Sequence, residues 1–181
     1  MTRFMALALL ALLGGCARGG PVAPNFTLSD QHGSPWTLSA QRGKAVAVFF
    51  GYTHCADTCP AALAKLASAI ASAGQAGADA EIAFVTVDPQ RDTPPVLAKY
   101  IARFSGATIV GLTGTPKQIT GVERAFHVWA QKIPGRRGAQ TYDEAHTAII
   151  FFIDRSGRIA SMRDDSDTVA AIARDVRKAL E

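Results

Sequence analysis

The chain has 181 residues, 48% of them hydrophobic and 19% charged, with a net charge of +4 at pH 7. That length supports one domain with its own core. The basic residues are scattered, with one dense spot, Arg136-Arg137, in a Gly-rich stretch, so nucleic-acid binding is not expected. Three cysteines are too few for a disulfide scaffold.

Arg3 supplies a positive charge, Phe4 to Leu13 form a short apolar stretch, and Leu13-Gly14-Gly15-Cys16 follows. This is the layout of a secretory signal. At roughly ten residues the stretch is too short to cross a bilayer, which takes about 20. Small residues directly before a cysteine resemble a bacterial lipobox, which makes residues 1–15 a signal peptide and Cys16 the lipidated first residue. Residues 16–24 read as a Gly- and Pro-rich tether, and residues 25–181 as the folded domain. The expected location is the bacterial cell envelope, anchored by lipid and facing the periplasm.

Phe26-Thr27-Leu28 and Trp36-Thr37-Leu38 alternate around Asp30-Gln31-His32-Gly33, a hairpin signal. Ala45 to Phe50 is an apolar run of buried-strand type. From Pro60 to about Ala73 the residues Leu63, Leu66 and Ile70 recur at helical spacing. Glu81 to Val87 is the next buried strand. Thr93-Pro94 opens a helix with Leu97, Tyr100, Ile101 and Phe104 on one face. A short strand at Thr108 to Gly111, a helix from Thr115-Pro116 to about Phe126, and a polar loop follow. Thr147 to Ile153 is a strand, Ser156-Gly157 turns it into Arg158 to Met162, and an amphipathic helix spans Asp167 to Leu180. Strands separated by helices predict a largely parallel central sheet flanked by helices. With its N-terminal β-hairpin and a dithiol at a strand-to-helix turn, the order is that of an α/β, thioredoxin-like fold with a central mixed sheet flanked by helices.

The strongest chemical signal is Gly51-Tyr52-Thr53-His54-Cys55-Ala56-Asp57-Thr58-Cys59-Pro60. Three residues separate the thiols, where thioredoxin-like oxidoreductases use two. The wider spacing opens the pair to a metal while leaving oxidation possible. Pro60 places the helix start close to Cys59, and a thiolate near helix N-terminal amides is stabilised. A metal needs a further ligand. His32 sits in the hairpin turn, His54 is expected to point away from the sulfurs, and His127 follows a helix end. His146 stands at the junction that faces the dithiol in this fold, within Ala145-His146-Thr147. Cys₂His is a soft set suited to copper, with zinc as its competitor.

Three segments together resemble the Sco/SenC family of copper-binding, thioredoxin-like assembly factors for cytochrome c oxidase. They are Phe50 to Cys55 with Asp57 and Cys59-Pro60, then Thr86-Val87-Asp88-Pro89-Gln90-Arg91-Asp92-Thr93-Pro94, then Tyr142 to Thr147 before an apolar strand. Two positions depart from the family pattern. Ala56 stands where Pro is frequent, and Ala145 where Asp usually precedes the histidine ligand.

The resemblance implies one copper ion per chain on Cys55, Cys59 and His146. It also implies a membrane-tethered chaperone that helps to build the CuA centre, with the oxidase copper subunit and other copper chaperones as partners. The alternative is a thiol-disulfide oxidoreductase acting through Cys55 and Cys59 on the CuA cysteines or on other exported proteins. Asp88 to Pro94 reads chiefly as a strand exit and helix cap, with Asp88 or Arg91 shaping the copper mouth as the second option. Asp57 reads as a helix cap or a thiol modulator. Phe49, Phe50 and Tyr52 read as core and rim packing.

Overall fold

A computed structural model describes residues 20–134 and 142–181. The proposed lipid site Cys16 and the Arg136-Arg137 pair lie outside the described residues. A short antiparallel pair, β1 (Thr27–Ser29) and β2 (Pro35–Thr37), realises the predicted hairpin. The central sheet then forms from β3 (Ala45–Gly51), β4 (Ala80–Thr86), β5 (Thr108–Leu112), β8 (Ile149–Ile153) and β9 (Ile159–Asp164), in the order β5-β4-β3-β8-β9.

The sheet is mixed. β3, β4 and β5 are parallel, whereas β8 pairs antiparallel with β3 and β9 antiparallel with β8. This is the expected mixed sheet, and its antiparallel half arises from the stretch between Phe126 and Ile149. The stretch expected to be a polar loop contains β6 (Ala130–Pro134) paired with β7 (Tyr142–His146), a two-stranded ribbon apart from the main sheet. No helix crosses over between this ribbon and β8, so β8 enters antiparallel to β3.

The outer strand β6 is exposed from Gln131 to Pro134. A strand with no buried face shows no alternation of apolar and polar residues, so sequence patterning does not detect it. β8 begins at Ile149 rather than Thr147, which makes His146 the last residue of the ribbon with Thr147-Ala148 as its link to the sheet.

Every residue of β3 is buried because both faces of the sheet are covered. Neighbouring side chains point to opposite faces. Phe49 meets Phe84 of β4, whose ring stacks on Tyr100 of α2 (Pro94–Ile101). Phe50 meets Phe151 of β8 and Phe126 at the end of α3 (Pro116–Ala125). The first face also carries α1 (Thr58–Ala71) and α4 (Val169–Leu180), which pack on each other and on the sheet.

Caps account for two of the helix starts. Thr115 and Gln118 form a reciprocal capping box on α3, and the Thr168 side chain accepts the Ala171 amide at the start of α4. Thr93 occupies the N-cap position of α2 but makes no side-chain cap bond, so the cap read from Thr93-Pro94 rests on Pro at the first turn alone. Among the described residues, no helix is long and apolar enough to cross a membrane.

Candidate metal centre

β3 ends at Gly51, and the chain turns through Tyr52 to Asp57 into α1, with Cys59 as the second helical residue. Gly51 is required by close packing. A Cβ there would lie 2.7 Å from Phe84 Cε2 and 3.0 Å from Cys59 Sγ, so a larger residue would displace the thiol. Both cysteines are free; Cys59 is fully buried and Cys55 is partly exposed.

The Cys59 amide donates to Cys55 Sγ at 3.3 Å, and Thr58 Oγ1 lies 3.1 Å from the same sulfur. These contacts split the pair. The Cys55 thiol is lowered to about 5, chiefly by a hydrogen bond from Cys59, with Thr58 and the amides of Cys59 and Asp57 adding to it against the effect of burial. Cys59 is pushed up, first by that same hydrogen bond and then by burial. In the reduced pair Cys55 is the thiolate and Cys59 keeps the proton.

His146 completes the arrangement. Its Nε2 lies 3.7 Å from Cys59 Sγ, and its Nδ1 is 3.2 Å from the Thr147 carbonyl. A carbonyl only accepts, so Nδ1 carries the hydrogen and Nε2 keeps its lone pair towards the sulfur. Tyr52 packs edge-on against the imidazole with centroids 6.1 Å apart. One thiolate, one buried thiol and one oriented imidazole nitrogen therefore converge, and these donors fit a soft metal. Among the described residues no three acidic, Cys or His side chains already form a compact ligand group, so a metal has to draw Cys55 and His146 in around Cys59.

The remaining histidines stand elsewhere. His54 Nδ1 lies 3.1 Å from Thr53 Oγ1 and 3.8 Å from Asp92, pointing away from the sulfurs as expected. His32 contacts Gln31 in the hairpin turn. His127 is exposed at the end of α3 with a φ of 55°, the left-handed turn that commonly ends a helix. Asp57 is the N-cap residue of α1, without a side-chain cap bond, and its amide supports the Cys55 thiolate.

The residues underrated in the sequence are those of the loop after β4. Asp88 and Asp92 are both fully buried. Asp92 accepts Thr53 Oγ1 at 2.6 Å, the Thr53 amide at 3.0 Å and Thr86 Oγ1 at 2.7 Å, which fastens the dithiol turn. Asp88 is ion-paired with Arg91 and accepts Tyr142 Oη at 2.7 Å. Arg91 donates to the Tyr142 carbonyl at 2.9 Å and lies 3.8 Å from the centroid of its ring. Tyr142 begins the strand that ends in His146. One loop therefore holds both arms of the site, and its role goes beyond a strand exit and helix cap.

Fold and site together define a thioredoxin-like domain with an open dithiol and a facing histidine. The SCO1/SenC family model matches residues 16–181, so the chain belongs to that family. It is 36% identical to a SCO2-like protein of Rickettsia prowazekii over 140 residues, 77% of this chain and 66% of that one. The chain thus spans slightly less than two thirds of that relative's length. The structure of Bradyrhizobium japonicum ScoI with copper bound superposes with a TM-score of 0.76 at 34% identity, covering 87% of this chain and 99% of that one. A SCO1/SenC family lipoprotein of Bacillus anthracis superposes with a TM-score of 0.74 at 25% identity, covering 90% and 96%.

Two outcomes are expected. Alkylation of reduced Cys55 should rise with pH through a midpoint near 5, and Cys59→Ala should move that midpoint towards the ordinary value of about 8.5. An unchanged midpoint in Cys59→Ala would rule out the hydrogen bond as its cause. Separately, Tyr142→Phe should speed amide exchange in β7 and leave the Thr53 amide protected, while Asp92→Asn should do the reverse. Equal loosening of both segments by either change would show that the loop does not hold two separable arms.

Proposed function

We propose that the chain is a copper chaperone of the bacterial cell envelope, tethered by a lipid on Cys16, that delivers copper to or helps assemble the CuA centre of cytochrome c oxidase. Copper is its cargo, held by Cys55, Cys59 and His146, one ion per chain. The observation that carries this reading is the His146 Nε2 lone pair directed at Cys59 Sγ, 3.7 Å away, with Nδ1 tied to a backbone carbonyl. A histidine fixed in that tautomer is prepared for a metal and has no necessary part in thiol exchange. The copper-bound relative and the lipoprotein relative support the cargo and the tether.

Each residue has a distinct task. Cys55, already a thiolate and partly exposed, meets the incoming ion first. Cys59 gives up its proton as the metal replaces it, so loading releases acid and weakens as pH falls. His146 then closes from the ribbon. A mixed thiolate-imidazole set suits both oxidation states of copper.

The same thiol asymmetry favours a second reading, dithiol exchange on the cysteines of the oxidase CuA site or of other exported proteins. The Cys55 thiolate would attack a target disulfide sulfur, forming a mixed disulfide and releasing one target thiolate. Cys59, once deprotonated, would attack Cys55, forming the Cys55–Cys59 disulfide and freeing the second target thiol.

One set of variants separates the two. His146→Ala should weaken copper binding about tenfold or more, while its Cys55–Cys59 disulfide still forms and is still reduced. His127→Ala should bind copper like the parent chain. Either Cys→Ala change should abolish the thiolate-to-Cu(II) absorption band. Undiminished copper affinity in His146→Ala, with oxidase assembly intact, would transfer the assignment to the oxidoreductase. For the tether, Cys16→Ser should release protein from the membrane fraction or leave the signal uncut; a variant that fractionates and migrates like the parent would refute lipidation.

A further inference from the structure

The first described residues are fastened to the domain. The Ala23 amide donates to Gly157 O at 3.0 Å, the Ile159 amide to Pro21 O at 2.9 Å, and Arg158 Nη1 to Gly20 O at 3.0 Å. These bonds lay residues 20–23 along the turn between β8 and β9. Beside that segment lies an apolar cavity of about 630 Å³, lined by Pro21, Val22, Phe126, Ile149, Ile159 and Met162 among others. Val22 and Met162 are each 59% exposed on its rim. Trp129, 55% exposed, follows the cavity residue His127 by two positions. Large apolar side chains gathered at one cavity and left to water mark an interaction surface.

We propose that this face is the seat of the domain on the lipid surface, with Val22 and Met162 dipping into the boundary between headgroups and acyl chains. The inference rests on the Cys16 tether proposed above. Four residue steps separate Cys16 from Gly20, and fully extended they reach at most about 14 Å. A domain of this size has a radius of gyration of about 15 Å. The leash is therefore too short to let the domain turn freely above the bilayer, and the side that carries Gly20 has to face it. The apolar cavity is on that side. Burying its rim in the interface removes Val22 and Met162 from water, as the apolar face of a peripheral protein does. A lipid surface is favoured over a second copy of the chain because the leash brings this face to the bilayer whatever the protein concentration.

The test uses the full lipidated chain carrying Met162→Trp and Trp129→Phe; Trp36, only 8% exposed, remains as a shielded background. It is reconstituted in vesicles of phosphatidylcholine and phosphatidylglycerol with brominated acyl chains, and flotation is read beside Trp fluorescence. The chain should float, the Trp at position 162 should lose most of its emission, and adding Val22→Glu should restore emission while flotation persists. A chain that floats with undiminished emission overturns the seat and leaves the tether standing. So does quenching that Val22→Glu leaves unchanged, since the leash alone would then bring the probe near lipid. A chain that does not float overturns the tether, and the seat falls with it. A dimer in detergent that Met162→Glu abolishes, without quenching in vesicles, assigns the face to a second copy.

Discussion

Asp88 and Asp92 are the constraint on which the site depends. Two carboxylates from one short loop are withdrawn completely from water, and each is compensated in a different way. Asp88 has the Arg91 guanidinium and a tyrosine hydroxyl, while Asp92 has two threonine hydroxyls and an amide. Removing one partner of a buried ion pair typically costs about 3–5 kcal/mol, because the charge left behind has no solvent. The partners are therefore held in place, and they belong to the dithiol turn on one side and the histidine ribbon on the other. A loop with only three residues between its two aspartates thus sets the distance between donors that are 87 residues apart in sequence.

This construction suits cargo better than a permanent structural metal. Structural sites enclose the ion with four ligands. Here, of the three proposed ligands, one is buried in a helix start, one sits partly exposed on a turn, and one ends a ribbon whose outer strand is exposed. The ribbon is linked to the main sheet through Thr147-Ala148 and is tied back through Tyr142, Arg91, the Lys132–Gln90 hydrogen bond and the Trp129–Thr147 backbone bond. The asymmetry of the thiols fits the proposed cargo role, since the partly exposed thiolate is open to an ion while the buried thiol has to lose its proton before it can bind one.

Much of this was legible in the sequence. The two cysteines were visible from spacing and from the apolar run before them, and His146 from its place before an apolar strand. The ribbon was hidden for a physical reason. Gln131, Lys132, Ile133 and Pro134 are all exposed, so the strand they form carries no two-residue alternation and reads as loop. The clamp was hidden differently. Asp88, Arg91, Asp92 and Thr93-Pro94 have the composition of an ordinary strand exit, and nothing in that composition reports that both aspartates are buried or that Tyr142, 54 residues from Asp88, supplies a hydroxyl. Gly51 carried a signal, a glycine at the end of an otherwise bulky strand, which marks close approach of another group; that group is the Cys59 sulfur.

Ala145, where the family pattern has a carboxylate next to the histidine, acquires a physical meaning once the ribbon is seen. Consecutive residues of a strand face opposite ways, so the neighbouring Glu144 cannot replace a side chain at position 145. Glu144 is buried, its Oε1 has no hydrogen-bond partner among the described residues, and its carboxyl is pushed up to about 7 by burial and then by the charge of Asp88. A carboxyl raised in the fold favours the protonated native state, so its destabilising effect is absent well below the unfolded value of about 4.3, develops as pH rises from there to about 7 and is constant above that. The strand ending in His146 thus carries a group whose ionisation opposes the fold at neutral and alkaline pH, while deprotonation of Cys59 favours metal capture in the same direction of pH.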